Sequence, residues 1–226
     1  APVRLGGFDT PGTALGVAVS GNLVYVADGY AGLQIINASN PANPVLLGAY
    51  DSLGYANNVQ VVGTLAYLAD GYNDGLLIID VSNPANPVLR GGYNTPGYAV
   101  DVAIAGSVAY VADGSTGTLQ IIDVSNPAAP LLRSQVSGFF NAYAVAVDGG
   151  GMAYVAEGGN LRLVDVSDPA NPVLRGAYNT PGWAVGVTVS NNLAYVADGR
   201  GGGVQVVSAV NPNAPEEYAL ALERYE

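Results

Sequence analysis

Apolar and polar residues alternate along this chain in short runs, and the runs recur. ALGVAVS, from Ala14, sets Leu15, Val17 and Val19 on one side and small residues on the other. LVYVADG follows from Leu23, LQIINAS from Leu33 and PVLLGAY from Pro44. Each run has the length of a β-strand and is rich in Val, Ile, Leu and Tyr. Turn formers separate the runs. ADG supplies an Asp acceptor and a permissive Gly, and NPANP sets two φ angles. The third run of each set carries paired aliphatics, such as Ile35-Ile36, Ile78-Ile79 and Ile121-Ile122. Such continuity is expected of a sheet covered on both faces.

The set of four runs repeats. Its Tyr anchors, Tyr25, Tyr67, Tyr110, Tyr154 and Tyr195, stand 42, 43, 44 and 41 residues apart. Four strands per period of about 42 residues make one blade of a β-propeller. A β-solenoid is the other architecture with such repetition, but its rungs are shorter and need no four antiparallel segments. The expected fold is therefore all-β, a single five-bladed propeller domain over residues 1–226. Five blades crowd the axis, and the innermost runs are slim there, with Gly16, Ala18, Asn58, Ala103, Ala144, Ala146 and Gly186. The alternating Val17/Val19, Val102/Ile104 and Val187/Val189 are expected to pack on a neighbouring blade.

The segments YVADG, LLIIDVSNPANPVLRGGY (Leu76 to Tyr93), LRLVDVSDPANPVLRGAY (Leu161 to Tyr178) and YNTPGYAVDVAI resemble LVIVD-repeat proteins. The resemblance covers nearly the whole chain. It implies a propeller in a bacterial or archaeal cell-surface or secreted protein, and it lends no catalytic residues. The first copy departs from the pattern at IINAS and the last at VVSAV, near the chain ends, where terminal repeats are atypical.

The ends do not match the repeat count. Fourth-strand runs stand at 2–8, 44–50, 87–93, 130–136 and 172–178, and EEYALALERY (216–225) falls where a sixth belongs. One terminal strand is surplus to five blades. Either the first run closes the last blade and the tail is a short helix, or one terminal strand adds to a neighbouring molecule's sheet edge. The side chains that would serve such pairing are Val3, Leu5 and Phe8 at the start and Tyr218, Leu220 and Leu222 in the tail. Repeated head to tail, the contact gives a filament. A third expectation is that the chain is one unit of a longer array. The opening APVRL, without Met, suits a processed form or an excerpt.

Composition narrows the function. The net charge is −11, which disfavours nucleic acid and anionic lipid as partners. Cys and His are both absent, and all seven basic residues are Arg. A thiol nucleophile, a Ser-His dyad, a Schiff-base Lys and a His-ligated metal all lack their residues. No cofactor and no enzymatic activity are expected. The acidic, lysine-free surface points to a secreted or cell-surface location.

The remaining candidates are few. Asp28, Asp70, Asp113, Glu157 and Asp198 recur at one position in every repeat, which suits turn capping better than catalysis. The loop Asp70-Gly-Tyr-Asn-Asp-Gly75 offers Asp70, Asn73 and Asp74 as a faint calcium site without an EF-hand's closing Glu. Asn37-Ala38-Ser39 is a glycosylation sequon. Asp101 and Asp148 are the carboxylates a hydrolase or lyase would need near the axis. The loops before the inner strands carry Tyr55, Tyr98, Phe139, Phe140, Tyr143 and Trp183. These aromatics either hold a glycan or peptide, or plug the blade tops against each other. The expectation for function is a non-enzymatic structural or adhesive protein, a filament subunit joined by terminal-strand exchange; the alternative is a ligand-binding propeller using the aromatic loops.

Overall fold

A computed structural model describes residues 1–191 and 193–208. Tyr218, Leu220 and Leu222 of the tail lie outside the described residues. Two compact units are distinguished: residues 1–102 with 123–131, and residues 103–122 with 132 onward.

The first unit holds two complete four-stranded antiparallel blades. Blade 1 runs Gly16–Ser20, Leu23–Ala27, Leu33–Asn37, Val45–Tyr50. Blade 2 runs Ala56–Val62, Leu65–Asp70, Gly75–Asp80, Val88–Tyr93. Register puts Ala18, Tyr25 and Ile35 side by side on one face of blade 1. That face joins Val59, Leu68, Leu77 and Ile79 of blade 2 in one buried cluster. Leu33, Ile35, Leu68, Leu76, Ile78 and Ile79 are all fully buried. Each contributes about 1.5–3 kcal/mol by leaving water. Strand pairing shifts by one residue at Ile35/Ile36 and at Ile78/Ile79, the same place in both blades. Bulges at equivalent positions are built into the repeat.

A third four-stranded sheet, ordered Leu131–Ser137, Thr118–Asp123, Val108–Asp113, Ala99–Ala105, gives segments to both units. In the second unit, repeats four and five share one six-stranded sheet. Its strands are Ala144–Val147, Met152–Ala156, Gly158–Asp165, Val173–Ser190, Leu193–Asp198 and Gly203–Ser208. Its core joins Tyr154, Leu161 and Leu163 to Ala194 and Val196.

The long strand Val173–Ser190 corrects the expectation of a loop at YNTPGWA. The cause lies in the fourth repeat's turn. Blade 2 spends Gly71–Asp74 on its turn, whereas repeat four resumes strand at Gly158, directly after Glu157. The extended strand then keeps pairing along the passing segment, with Asn160 opposite Asn179 and Gly158 opposite Ala184.

Two further expectations are corrected. Pro2–Phe8 is not a strand; residues 1–10 pair with no sheet, and Val3, Leu5 and Phe8 are exposed. A strand needs a neighbour to take its N–H and C=O groups, and none lies alongside among the described residues. Val17 and Val19 of blade 1 are exposed as well, unlike their counterpart Val59 in blade 2. Among the described residues no helix is long and apolar enough to cross a membrane.

Candidate functional site

The five recurring carboxylates sit at the ends of second strands, and each is buried. Asp28 accepts from Thr10 Oγ1 at 2.7 Å and from the Gly12 N–H at 2.8 Å. Asp70 accepts from Ser52 Oγ at 2.9 Å and from the Gly54 N–H at 3.2 Å. Glu157 accepts from the Phe140 N–H at 3.1 Å and pairs with Arg162. Asp198 accepts from the Gly182 N–H at 2.9 Å. Thr116 Oγ1 donates to Asp113 at 3.0 Å. Asp28, Asp70, Glu157 and Asp198 each clasp the loop that enters their own blade. This goes beyond capping a local turn. The clasp was legible as a fixed spacing: Ser or Thr stands 18 residues before the Asp and Gly stands 16 before it, in blades 1 and 2 alike.

Asp198 departs from the pattern. Its Oδ1 has no partner among the described residues, while Thr180, at the clasp position, donates to the Gly158 carbonyl at 3.4 Å. The long strand has drawn Thr180 away from the acid.

The outer loops are closed by the DxSNPA motif itself. Asp80 Oδ1 accepts from the Ser82 N–H and Asn83 Oδ1 from the Ala85 N–H, two consecutive Asx turns. The sequon residue Asn37 does the same for Ser39. Arg90 reaches Asp80 across neighbouring strands at 2.5 Å. The Ser82 and Arg90 hydrogen bonds hold the Asp80 carboxyl down to about 2.

Asp101 and Asp148 each have a structural role. Asp101 Oδ1 accepts from Asn58 Nδ2 at 2.5 Å and from the Val102 N–H at 2.8 Å. Asp148 Oδ1 accepts from the Gly150 and Met152 N–H groups, and its Oδ2 from the Tyr154 hydroxyl.

The calcium candidates form a turn. Tyr72 (φ −58, ψ 134) and Asn73 (φ 89, ψ −40) have the backbone angles of a type II turn. No group of three or more acidic, His or Cys side chains is placed to hold a metal ion among the described residues. Burial pushes the Asp70 carboxyl up to about 6, and the nearby Asp74 adds to this; the Ser52 and Gly54 hydrogen bonds pull the other way. A folded-state value above the usual 3.8 means the fold binds that proton more tightly. The stabilisation is full below pH 4 and is lost as pH rises through about 6. Asp74→Asn keeps an acceptor for the Leu53 N–H and removes the like charge. Between pH 4 and pH 7 the parent should lose about 1 kcal/mol more stability than Asp74→Asn, measured by denaturant melts at both pH values. Parallel pH profiles would refute the coupling.

The aromatics meet in pairs. The Tyr30 and Tyr55 rings stand 4.6 Å apart at 79°, and Tyr72 and Tyr98 stand 4.5 Å apart at 65°. Phe140 and Tyr143 both approach Trp183, at 5.9 and 6.1 Å. Each pairing joins the turn or loop of one repeat to the entry loop of the next. Tyr98 Oη also donates to Asn57 Oδ1 at 3.1 Å. The turn glycines make room: a Cβ on Gly29, Gly71 or Gly158 would meet Tyr55, Tyr98 or Trp183. Phe139 is buried, Tyr55, Tyr98 and Tyr143 are half-buried, and Phe140 is exposed. Tyr30 and Tyr72, which sequence reading passed over, are exposed edge partners; each lies two residues after the clasp Asp. Trp183 lines an open cleft of about 510 Å³ with Pro181, Gly182, Val185, Gly199 and Arg200.

The LVIVD-repeat family model matches residues 11–52, 53–95, 96–137, 141–180 and 181–218. No curated protein matches the chain. A functionally unknown protein from Desulfotomaculum acetoxidans is similar in structure, with TM-score 0.71 at 17% identity, over 84% of this chain and 64% of that one. This chain thus spans less than two thirds of that protein. The periplasmic gluconolactonase of Pseudomonas aeruginosa aligns with TM-score 0.71 at 12% identity, over 86% of this chain and 70% of its own. A β-propeller domain from Myceliophteria thermophila aligns with TM-score 0.68 at 12% identity, over 83% and 66%. At these identities the likeness concerns the fold. With five consecutive matches across nearly all of its length, the chain belongs to the LVIVD-repeat family and is an all-β propeller built from five such repeats.

Proposed function

We propose that this chain is a non-enzymatic structural or adhesive protein of the cell surface or extracellular space, whose terminal segments join it to further copies. The observation that carries this reading is the use of the carboxylates. The chain has no His, Cys or Lys, so acids are its main source of proton transfer or nucleophilic attack. Yet the recurring acids clasp or brace loops, Asp101 is held by Asn58 of blade 2 and by its own strand, and Asp148 by its own turn and Tyr154. Groups spent on holding a repeat together at every blade serve architecture. The exposed side chains of Val3, Leu5 and Phe8 support an assembly role. Electron microscopy of the native chain tests it: regular filaments with a propeller-sized repeat are expected, and isolated particles at high concentration would refute assembly.

A second reading has one specific observation in its favour. Trp183 is partly exposed beside its cleft, between Phe140, Tyr143 and Arg200. Aromatic faces beside a cation suit a glycan or peptide. Trp183 is the sole tryptophan, so ligand binding there changes its emission directly. Saturable quenching by an oligosaccharide or peptide that disappears in Arg200→Ala would support this reading. Flat titrations across such libraries would remove it.

A further inference from the structure

Blades 1 and 2 carry a tyrosine that the other repeats do without. Two residues after the clasping acid stand Tyr30 and Tyr72, where the third, fourth and fifth repeats place Ser115, Gly159 and Arg200. The turn therefore forms without an aromatic ring at this position. Tyr30 and Tyr72 are nonetheless 80% and 66% exposed. Leu53, whose N–H donates to Asp74 of the Tyr72 turn, is 86% exposed. Large apolar side chains grouped in water mark a surface used for contact.

The rings form one patch, and Tyr55 joins its two halves. The Tyr55 ring stands 4.6 Å from Tyr30, and its carbonyl accepts from the Gly71 N–H, next to Tyr72. Tyr72 in turn stands 4.5 Å from Tyr98, whose hydroxyl donates to Asn57. Burial pushes the Tyr98 hydroxyl up, and the Tyr55, Tyr72 and Tyr30 hydroxyls act in the same direction, as phenols drawn to one place do. The planes within each pair are near perpendicular, at 79° and 65°, so each pair makes a corner. The patch lies within the first unit, on the turns of blades 1 and 2 and the loops entering blade 2 and the third sheet. Neither end of the sequence contributes to it.

Its surroundings are acidic. Asp51 is exposed, and its backbone lies against Gly32 at the end of the Tyr30 turn. Asp74 follows Tyr72 by two residues and faces Leu53. The patch itself contains no basic residue; of the two Arg in residues 1–102, Arg90 is paired with Asp80 and Arg4 lies against Gly7. Aromatic faces beside carboxylates attract a cation. Rings this exposed cover one side of a ligand, which suits a polypeptide segment; a small molecule needs most of its surface buried. The segment is not this chain's own, because the sequence has no Lys and residues 209–226 hold four Glu against one Arg.

We propose that Tyr30, Tyr55, Tyr72 and Tyr98, with Asp51 and Asp74, dock a basic segment of a partner protein, its Lys or Arg head groups on the ring faces and their apolar stems along Leu53. This goes beyond the assembly reading and holds whether or not copies of the chain join.

Oligolysine, titrated into the full native chain in a calorimeter, should bind saturably, whereas fully acetylated oligolysine and neutral oligosaccharides should not. Tyr30→Leu combined with Tyr72→Leu should weaken oligolysine binding about tenfold, and Tyr30→Phe combined with Tyr72→Phe should hold it within about twofold. All three chains carry the same charge, so the general attraction of an acidic protein for oligolysine is equal among them. Both side chains are exposed, so the thermal midpoint should be nearly unchanged. Equal affinity in the parent and the Leu variant would overturn the proposal, since net charge alone would then account for binding. Equal losses in the Leu and Phe variants would overturn it as well, because the hydroxyls and not the ring faces would be the contact. Acetylated oligolysine or a neutral oligosaccharide binding as tightly as oligolysine would overturn the assignment of a cationic partner, and no binding of oligolysine would remove the site altogether.

Discussion

Asp28→Ala is expected to destabilise the protein by about 2–4 kcal/mol, more than any exposed substitution in blade 1. Asp28 is fully buried and receives the Thr10 hydroxyl and the Gly12 N–H. Alanine removes the acceptor of both donors, the half-buried Thr10 hydroxyl and the Gly12 N–H, and so releases the entry loop from the strand end. Gly12 cannot back away cheaply, because its backbone lies against Asp28 and Ala31. The entry loop must therefore open, and the Thr13 N–H to Asp28 carbonyl bond is strained with it. Asp28→Asn keeps one acceptor oxygen and should cost about half as much. The comparison that isolates the clasp is Asp198→Ala. Among the described residues Asp198 makes one loop bond, to Gly182, and its Oδ1 has no partner. Its removal should cost only about 1 kcal/mol. Urea melts of the three variants give the ranking, and equal losses for Asp28→Ala and Asp198→Ala would mean that the loop bonds contribute little.

The sequence carried the fold well because the repeat states each element five times. Alternation gave the strands, Gly and Asn-Pro the turns, and the 42-residue spacing the blades. The recurring acids were recognisable as structural, and their partners stand at a fixed spacing before them, but only the fold shows that these positions meet. Two places escaped sequence reading for physical reasons. Repeat four has a turn shortened to Glu157-Gly158, and only pairing across space shows that the freed edge then extends through residues 179–184. At residues 2–8 the composition is that of a strand, but strand formation depends on a neighbouring edge, which composition does not report. The aromatic residues lay between the two expectations. Tyr55 and Tyr98 do pack against the preceding repeat, whereas Tyr30, Tyr72 and Phe140 keep open surface. Periodicity gives a residue's position in the blade and leaves the depth of its neighbour undetermined.

Gly71→Ala is expected to cost about 2–3 kcal/mol, although its backbone conformation is open to any residue. The added methyl would sit 2.4 to 3.0 Å from three ring atoms of Tyr98. The ring cannot turn aside freely. Its edge is set against Tyr72, and its hydroxyl donates to Asn57, which in turn donates to the Tyr55 and Ala99 carbonyls. Displacing the ring breaks the link between this turn and the next entry loop. Tyr98→Ala alone removes the stacking and the hydroxyl bond, at about 1–2 kcal/mol. In the double variant the methyl meets open space, so most of the Gly71→Ala penalty should vanish. The cycle should show a coupling of about 1–2 kcal/mol between two residues 27 positions apart. Gly29→Ala and Gly158→Ala supply the contrast. Their ring contacts are looser, at 3.2 and 3.1 Å, but both glycines have positive φ, 58° and 79°. Their cost is mainly backbone strain of about 1 kcal/mol and should persist when Tyr55 or Trp183 is truncated. Coupling at Gly71 with none at Gly29 would establish that the aromatic on the next repeat, and not the turn itself, requires glycine at the end of the blade 2 strand.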